Sequence, residues 1–180
     1  MGGEIGVDSE PNKGSTFWFT VLVNEATLSA QTHLAESKLT LDEKLKKVDL
    51  SSLTVLVAED NRVNQMVIKG MLSKLGITPA IAENGAECVS RVGQAGDYFN
   101  CILMDCEMPE MDGYEATSRI REITGIPQPV IVGVSANALK EQEQKAILAG
   151  MDDYLRKPIE FEQLLDKLEA VRVRIEKGVA

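Results

Sequence analysis

Short apolar runs alternate with segments of helical periodicity from about residue 53 to residue 175. Residues 54–58 form a continuous apolar run, which is typical of a strand buried on both faces of a sheet. The next four apolar residues recur at helical spacing, and Gly76 is suited to end their helix. These four are Val63, Val67, Met71 and Leu75.

The same succession repeats along the chain and predicts an α/β fold. We predict strands at residues 54–58, 77–82, 101–104, 130–134 and 153–155. We predict helices at residues 63–75, 86–92, 113–123, 138–148 and 160–175. Five strand–helix units in succession indicate a parallel sheet with helices on both faces.

Pro79 gives a clue to the order of the strands. It lies inside the second predicted strand, and proline is disfavoured in a central strand because it cannot donate a ladder hydrogen bond. The flavodoxin-like order 2-1-3-4-5 places that strand at an edge. We therefore predict a flavodoxin-like, doubly wound (βα)5 sheet with this order.

The first 23 residues have a different pattern. Residues 5–7 and 16–21 have strand character, and the turn-forming residues 9–14 lie between them. This pattern predicts a β-hairpin. Because an isolated hairpin is only marginally stable in water, it either packs on another element or frays.

Residues 24–51 are polar with scattered leucines and are predicted to be a linker. A capping-box pattern at residues 40–43 predicts a short helix within it. The α/β domain then occupies residues 52–175. The predicted organisation is thus a hairpin segment, a partly helical linker and one complete domain.

Composition narrows the class of protein. The 19 basic and 28 acidic residues give a net charge of −9, which argues against a nucleic-acid partner because phosphates require a basic surface. Cys88, Cys101 and Cys106 have no paired spacing, so reduced thiols in a cytoplasmic protein are expected. No segment approaches the roughly 20 apolar residues of a membrane span, and the first residues lack a signal-peptide pattern.

Polar side chains stand at the carboxyl ends of four predicted strands. In a parallel sheet these ends share one edge, so we expect the side chains to converge. They are Glu59, Asp60, Asp105, Ser135 and Lys157.

The chemistry of these residues favours phosphoryl transfer. Oxygen ligands from Asp60 and Asp105 would suit Mg2+, and a carboxylate can act as a nucleophile that forms an aspartyl-phosphate. Lys157 offers a compact positive charge to a phosphoryl oxygen, and Ser135 offers a hydroxyl. The set predicts that Asp105 accepts a phosphoryl group.

Four motifs carry a family resemblance, at residues 56–61, 102–113, 134–138 and 150–158. In this order they resemble the receiver domains of two-component signalling. The resemblance implies that Asp105 is the phosphorylation site and that Asp60 binds Mg2+ directly.

The resemblance also implies roles for five further groups. Glu59 would act on the metal mainly through water, and the backbone carbonyl of Glu107 would complete the ligand set. Ser135 and Lys157 would hold the phosphoryl group, and Tyr154 would be an aromatic switch residue. Receivers commonly have threonine where Ser135 stands, which weakens the expected coupling between Ser135 and Tyr154.

Residues 1–19 resemble the last segment of a histidine-kinase ATP-binding domain, whose final glycine-containing motif matches residues 13–17. Together with the receiver motifs, this resemblance implies that the parent protein is a hybrid sensor kinase anchored in a membrane. The part of it given by this sequence is expected to make no direct contact with the membrane. The other nucleotide-binding motifs are not in the sequence, so no ATP binding and no enzymatic activity are expected. His33 lacks the surroundings of a phospho-donor.

The partners implied are a histidine kinase core as donor and a histidine-phosphotransfer protein as acceptor. The chain ends just after the last helix, which favours relay over transcription control.

Two alternatives remain. A dehalogenase-type phosphatase would need an aspartate two positions after the nucleophile, where this chain has Glu107. Its second acidic pair would also follow the nucleophile, whereas Glu59 and Asp60 precede Asp105. This class is therefore disfavoured. A docking module that is never phosphorylated stays open, as does a dimer through the last two helices.

Overall fold

The computed structural model describes residues 3–10, 13–20, 44–45, 48–94, 98–136 and 140–178. Side chains are described for all of these except residues 140–143. The chain divides into two compact units, Met1–Thr40 and Leu41–Ala180.

The first unit contains the predicted hairpin. Strands β1 (Ile5–Glu10) and β2 (Gly14–Phe19) pair antiparallel. Gly14 has φ of +110°, a conformation that favours glycine because it has no Cβ. Strand β2 ends at Phe19, one residue before the described Thr20. Val21, the last residue of the predicted second strand, lies outside the described residues, as do the capping box at residues 40–43 and His33.

The second unit is built on a five-stranded parallel sheet. Its strands are β3 (Val55–Ala58), β4 (Ala80–Ala82), β5 (Cys101–Asp105), β6 (Val130–Ser135) and β7 (Asp153–Arg156). Their order is β4-β3-β5-β6-β7, and every neighbouring pair is parallel. Counted within this unit, the order is 2-1-3-4-5, so the predicted fold is confirmed.

Five helices connect and follow the strands. They are α1 (Arg62–Lys74), α2 (Gly85–Gly93), α3 (Gly113–Glu122), α4 (Lys140–Ala149) and α5 (Phe161–Glu176). Three of them begin after a capping residue whose side chain accepts a hydrogen bond from a backbone N–H of the first turn. The caps are Asn61, Asn84 and Asp112. None of the helices in the described residues is long and apolar enough to cross a membrane.

Strand β4, the second strand of the parallel sheet in chain order, is shorter than predicted. It begins at Ala80 rather than residue 77, so Pro79 precedes β4 instead of lying within it. Proline has no N–H to give to the ladder, which is consistent with this start. The edge position predicted from Pro79 is confirmed by the strand order.

The sheet is covered on both faces, and β3 shows how. Val55 and Val57 belong to one apolar cluster, with residues of α1 and α5. Leu56 and Ala58 belong to a second cluster, with residues of α2 and α3. Side chains of a strand alternate between faces, so a strand buried on both faces must be apolar throughout.

The segment before β3 also contributes to this core. Leu50 and Leu53 are buried in the cluster formed with α1 and α5. The amide of Leu53 donates to the carbonyl of Leu50 at 3.0 Å. The packed unit therefore includes residues before β3, while the predicted boundary between residues 51 and 52 stays a prediction.

Gly113 fixes the distance between α3 and the end of β5. A Cβ built at Gly113 would lie 2.1 Å from the backbone oxygen of Asp105. The amide of Gly113 donates to the carbonyl of Cys106 at 3.2 Å. Only glycine lets the start of α3 approach the strand end this closely.

We expect Gly113→Ala to lower the free energy of unfolding by about 1–3 kcal/mol, because the added methyl overpacks against backbone. Gly70→Ala is the matched control, since it lies within α1 with open space around its Cβ position. It should raise stability by about 0.5–1 kcal/mol through helix propensity. Urea unfolding of both variants measures this, and a Gly113→Ala variant as stable as the native chain would contradict the packing argument.

Candidate functional site

The predicted site residues converge at the carboxyl edge of the sheet. Glu59 and Asp60 follow β3, and Asp105 ends β5. One carboxylate oxygen from each of these three residues lies within 4.8 Å of the other two. Three like charges at this separation repel one another, so the cluster requires positive charge nearby.

Lys157 supplies part of that charge. Its Nζ donates to Asp105 Oδ2 at 2.6 Å and to Glu59 Oε2 at 2.8 Å. Both carboxylates are buried, with 1% of Glu59 and 4% of Asp105 exposed. One ammonium group faces three carboxylates if Asp60 is counted, so the ionised cluster still carries surplus negative charge.

The pKa of Asp105 reflects this balance. Burial raises the pKa of Asp105 above its usual value, and the neighbouring Glu59 carboxylate adds to the rise. Hydrogen bonds from Lys157 and from the amide of Glu107 act in the opposite direction. The net direction is upward, as expected for a buried carboxyl beside another carboxylate.

The pKa of Lys157 is raised as well. Burial alone would lower the pKa of Lys157, but hydrogen bonds to Asp105 and Glu59 outweigh burial and stabilise the ammonium form. Lys157 therefore stays charged at neutral pH. A charged lysine held against Asp105 can pair with an anionic group that approaches the same carboxylate.

The donor set fits a hard divalent cation. Glu59, Asp60 and Asp105 offer carboxylate oxygens only, which are the ligands that Mg2+ and Ca2+ prefer. Asp60 is exposed, so a cation there would keep contact with water. The carboxylates lie in a cleft of about 200 Å3. Its lining is completed by Asn61, Asn64, Glu107, Ala136 and Lys157.

Glu107 lies beside the acidic group. Its amide donates to Asp105 Oδ1 at 3.1 Å, and the residue lines the cleft. The backbone around Glu107 is therefore close to the carboxylates. Its predicted role as a carbonyl ligand of the metal stays a prediction.

Ser135 and Tyr154 lie on the neighbouring strands. Ser135 ends β6 and is buried, with 1% of its surface exposed. Its carbonyl accepts from the amide of Lys157 at 2.8 Å. Tyr154 lies on β7 opposite Gly133 and is half-buried against the cluster that includes α3. The predicted phosphoryl-holding and switch roles of Ser135 and Tyr154 stay predictions.

Two side chains that hold Glu59 were not predicted from the sequence. Asn64 Nδ2 donates to Glu59 Oε1 at 2.8 Å, and Gln65 Nε2 donates to the Glu59 carbonyl at 2.6 Å. Both lie in the first turns of α1. Two consecutive amide residues shortly after an acidic pair at a strand end were the sequence signal.

The three cysteines take no part in this chemistry. Cys88, Cys101 and Cys106 are free and buried. Burial raises the pKa of Cys88 and Cys101 to about 12 and that of Cys106 to about 11. Because the thiolate is the nucleophilic form, this raised pKa keeps Cys106, which adjoins Asp105, mainly in the less reactive thiol form at neutral pH.

Comparison with known families shows which family the chain belongs to. A model of the response regulator receiver domain matches residues 55–169, well over half of the chain. The chain belongs to the response regulator receiver domain family. The matched receiver region includes the acidic cluster, Ser135 and Lys157.

The similar curated proteins are named as hybrid histidine kinases and related two-component proteins. Hybrid signal transduction histidine kinase K of Dictyostelium discoideum is 32% identical over 177 residues. The alignment covers 94% of this chain but 14% of that protein. Across eight similar curated relatives, the chain spans from 6% to 25% of their lengths.

Solved receiver domains have the same fold. The receiver domain of sensor histidine kinase PA1611 from Pseudomonas aeruginosa PAO1 has a magnesium ion coordinated in its active-site cleft. It is 36% identical, with a TM-score of 0.60, and the similarity covers 66% of this chain and 95% of that one.

A second solved receiver domain, that of Ssk1 from Saccharomyces cerevisiae, was crystallised with the histidine phosphotransfer protein Ypd1. It is 31% identical, with a TM-score of 0.58, and the similarity covers 64% of this chain and 86% of that one.

We expect Asp60→Asn to weaken divalent-cation binding at least on the order of tenfold, because it removes one negative charge from an acidic group. Titration calorimetry with MgCl2 measures the dissociation constant. Glu122→Gln is the matched control, since it removes an exposed carboxylate at the end of α3. Equal affinity in the native chain and Asp60→Asn would show that Asp60 does not contribute to cation binding.

Proposed function

We propose that residues 52–175 accept a phosphoryl group on Asp105 from a phosphohistidine and pass it to a histidine-phosphotransfer protein. The observation that supports this is the contact of Asp105 with Lys157 inside a cluster of three carboxylates. This arrangement combines a nucleophile, a positive charge and a set of oxygen ligands in one cleft.

The covalent step follows from the chemistry of a carboxylate. An oxygen of Asp105 forms a bond to phosphorus while the P–N bond of phosphohistidine breaks. The imidazole leaves with the bonding electron pair and then takes up a proton. The product is an aspartyl-phosphate.

Lys157 is suited to bind the incoming group. Its ammonium lies 2.6 Å from Asp105 Oδ2, so an anionic phosphoryl oxygen beside Asp105 would lie within its reach. We propose that Ser135, which ends β6, donates its hydroxyl to the same group. Positioning and charge neutralisation carry most of the catalysis in phosphoryl transfer.

We propose that Mg2+ is the cofactor, held by Asp60, Asp105 and the Glu107 carbonyl, with Glu59 acting through water. The oxygen-only donor set supports this choice, as does the magnesium-bound PA1611 receiver. When bound, Mg2+ would neutralise charge on the carboxylates and on the phosphoryl group.

Tyr154 is proposed to report the modification. It lies on β7, the strand that leads to Lys157, and β7 pairs with β6, which ends in Ser135. A rearrangement of Ser135 toward a phosphoryl group would change the surroundings of the neighbouring strand. A ligand that binds one of two arrangements better shifts the population toward it.

The segment upstream supports a place in a hybrid kinase. We propose that residues 1–23 are the end of a kinase ATP-binding domain and that residues 24–51 link it to the receiver. The donor would then be the kinase core of the same parent protein, in the cytoplasm beside a membrane anchor. The chain of 180 residues, as a receiver with only the end of a kinase domain, would not be an enzyme by itself.

The first helix offers a surface for the acceptor protein. Met66 is 74% exposed, and Val63 and Val67 beside it are 68% and 49% exposed. Their i, i+3 and i+4 spacing places them on one face of α1. A cleft of about 420 Å3 next to them includes Lys157 in its lining. An apolar surface beside the phosphorylation site suits a partner that must reach Asp105.

We expect the chain to gain one labile phosphate when incubated with acetyl phosphate and MgCl2. Intact mass measures the adduct, and Asp105→Asn should abolish it because it removes the nucleophile. Omission of MgCl2 should also prevent it. A folded native chain that binds Mg2+ but gains no adduct would favour the alternative, a docking module that works without phosphorylation.

We expect Met66→Lys to slow phosphate transfer from the chain to Ypd1 by about tenfold or more, because a charge at the centre of an apolar contact is poorly tolerated. Leu148→Lys on α4 is the matched control, since Leu148 is 86% exposed. Labelling by acetyl phosphate should be unchanged in both variants. Transfer that is slowed by Leu148→Lys and not by Met66→Lys would place the docking surface on α4 instead.

A further inference from the structure

Glu59 is a buried carboxylate, and both of its carboxylate oxygens and its backbone oxygen accept hydrogen bonds. Its Oε2 accepts from Lys157 at 2.8 Å. Its Oε1 accepts from Asn64 Nδ2 at 2.8 Å and from the amide of Asn61 at 3.3 Å. Its backbone oxygen accepts from Gln65 Nε2 at 2.6 Å. Two of these donors are consecutive side chains of α1.

The donors from α1 are neutral, and this matters for the charge of the site. An arginine or lysine in the place of Asn64 would cancel the charge of Glu59. An amide instead fixes the orientation of the carboxylate and leaves its negative charge available to a cation. Hydrogen bonds to a charged acceptor are also stronger than those between neutral groups.

The orientation of Glu59 in turn affects Lys157. One oxygen of Glu59 is held by Asn64, so the other oxygen faces Lys157. The same Nζ donates to Asp105 at 2.6 Å. The contacts therefore form a continuous chain from Asn64 through Glu59 and Lys157 to the proposed nucleophile.

The position of Asn64 adds a second observation. Asn64 lines the cleft that contains the carboxylates and also the larger cleft beside the apolar face of α1. Asn64 therefore separates Glu59 from the larger cleft, and its amide is the side-chain group of α1 that contacts the Glu59 carboxylate.

We propose that Asn64 is a positioning residue of the receiver site, assisted by Gln65, that fixes Glu59 and through it Lys157. The proposal rests on the function proposed above. Its effect falls on two quantities, the affinity for the divalent cation and the rate of phosphoryl transfer to Asp105 at saturating cation.

Asn64→Leu tests the donor, because leucine has nearly the same size and no N–H. We expect it to weaken Mg2+ binding, or to slow adduct formation with acetyl phosphate at saturating MgCl2, by about tenfold or more, as outer-sphere substitutions do. Calorimetry and intact mass measure the two effects. Asn64→Gln keeps the donor on a longer side chain and should recover part of the loss.

Gln163→Ala is the control for loss of a helix amide, since Gln163 bonds Glu160 on the exposed surface of α5. It should leave both quantities unchanged. The unfolding midpoint of Asn64→Leu should stay within a few degrees of the native value, which separates positioning from folding.

Asn64→Leu with native cation affinity and native transfer rate would overturn the proposal. So would equal losses in Asn64→Leu and Asn64→Gln, because they would show that the donor is not what matters. If the native chain gains no phosphate at all, the proposed function fails, while the calorimetric comparison alone then decides the role of Asn64.

Discussion

The bridge from Lys157 to Asp105 and Glu59 is the contact on which the rest of the site depends. It joins the ends of β3 and β5 to the segment that follows β7. Burial of two ionised carboxylates that have no positively charged partner would cost on the order of several kcal/mol in desolvation. With Lys157 in place, the acidic group keeps surplus negative charge, and this surplus is what a divalent cation would neutralise.

The fold makes this bridge possible because it buries the sheet on both faces. The central strands carry apolar side chains to both clusters, so polar residues are confined to the strand ends. All strands are parallel, and their carboxyl ends therefore share an edge. Gly113 lets the start of α3 pack against the backbone of Asp105. The site is thus a consequence of the layered architecture.

Family membership and local geometry support different parts of the functional argument. The receiver-domain match covers residues 55–169 and assigns the fold and the signalling class. The structure brings the carboxylates of Glu59, Asp60 and Asp105 together and places Lys157 in contact with two of them. This arrangement is the reason to propose phosphorylation rather than docking alone. The exposed apolar face of α1 is the surface proposed to receive the relay partner.

The sequence alone located the strands and most of the polar residues at their ends, because an apolar run and the residues that end it are local features. Asp105, Glu59 and Lys157 could be assigned to one edge for this reason. The strand order was predicted from the known flavodoxin-like order together with Pro79, and the structure confirms it. The sequence did not determine that β4 begins after Pro79, nor that Asn64 and Gln65 hold Glu59. These depend on the rotation and position of α1 against the strand end. Only the packing of α1 in the core sets that rotation, and a periodic pattern does not specify which polar side chain meets which carboxylate.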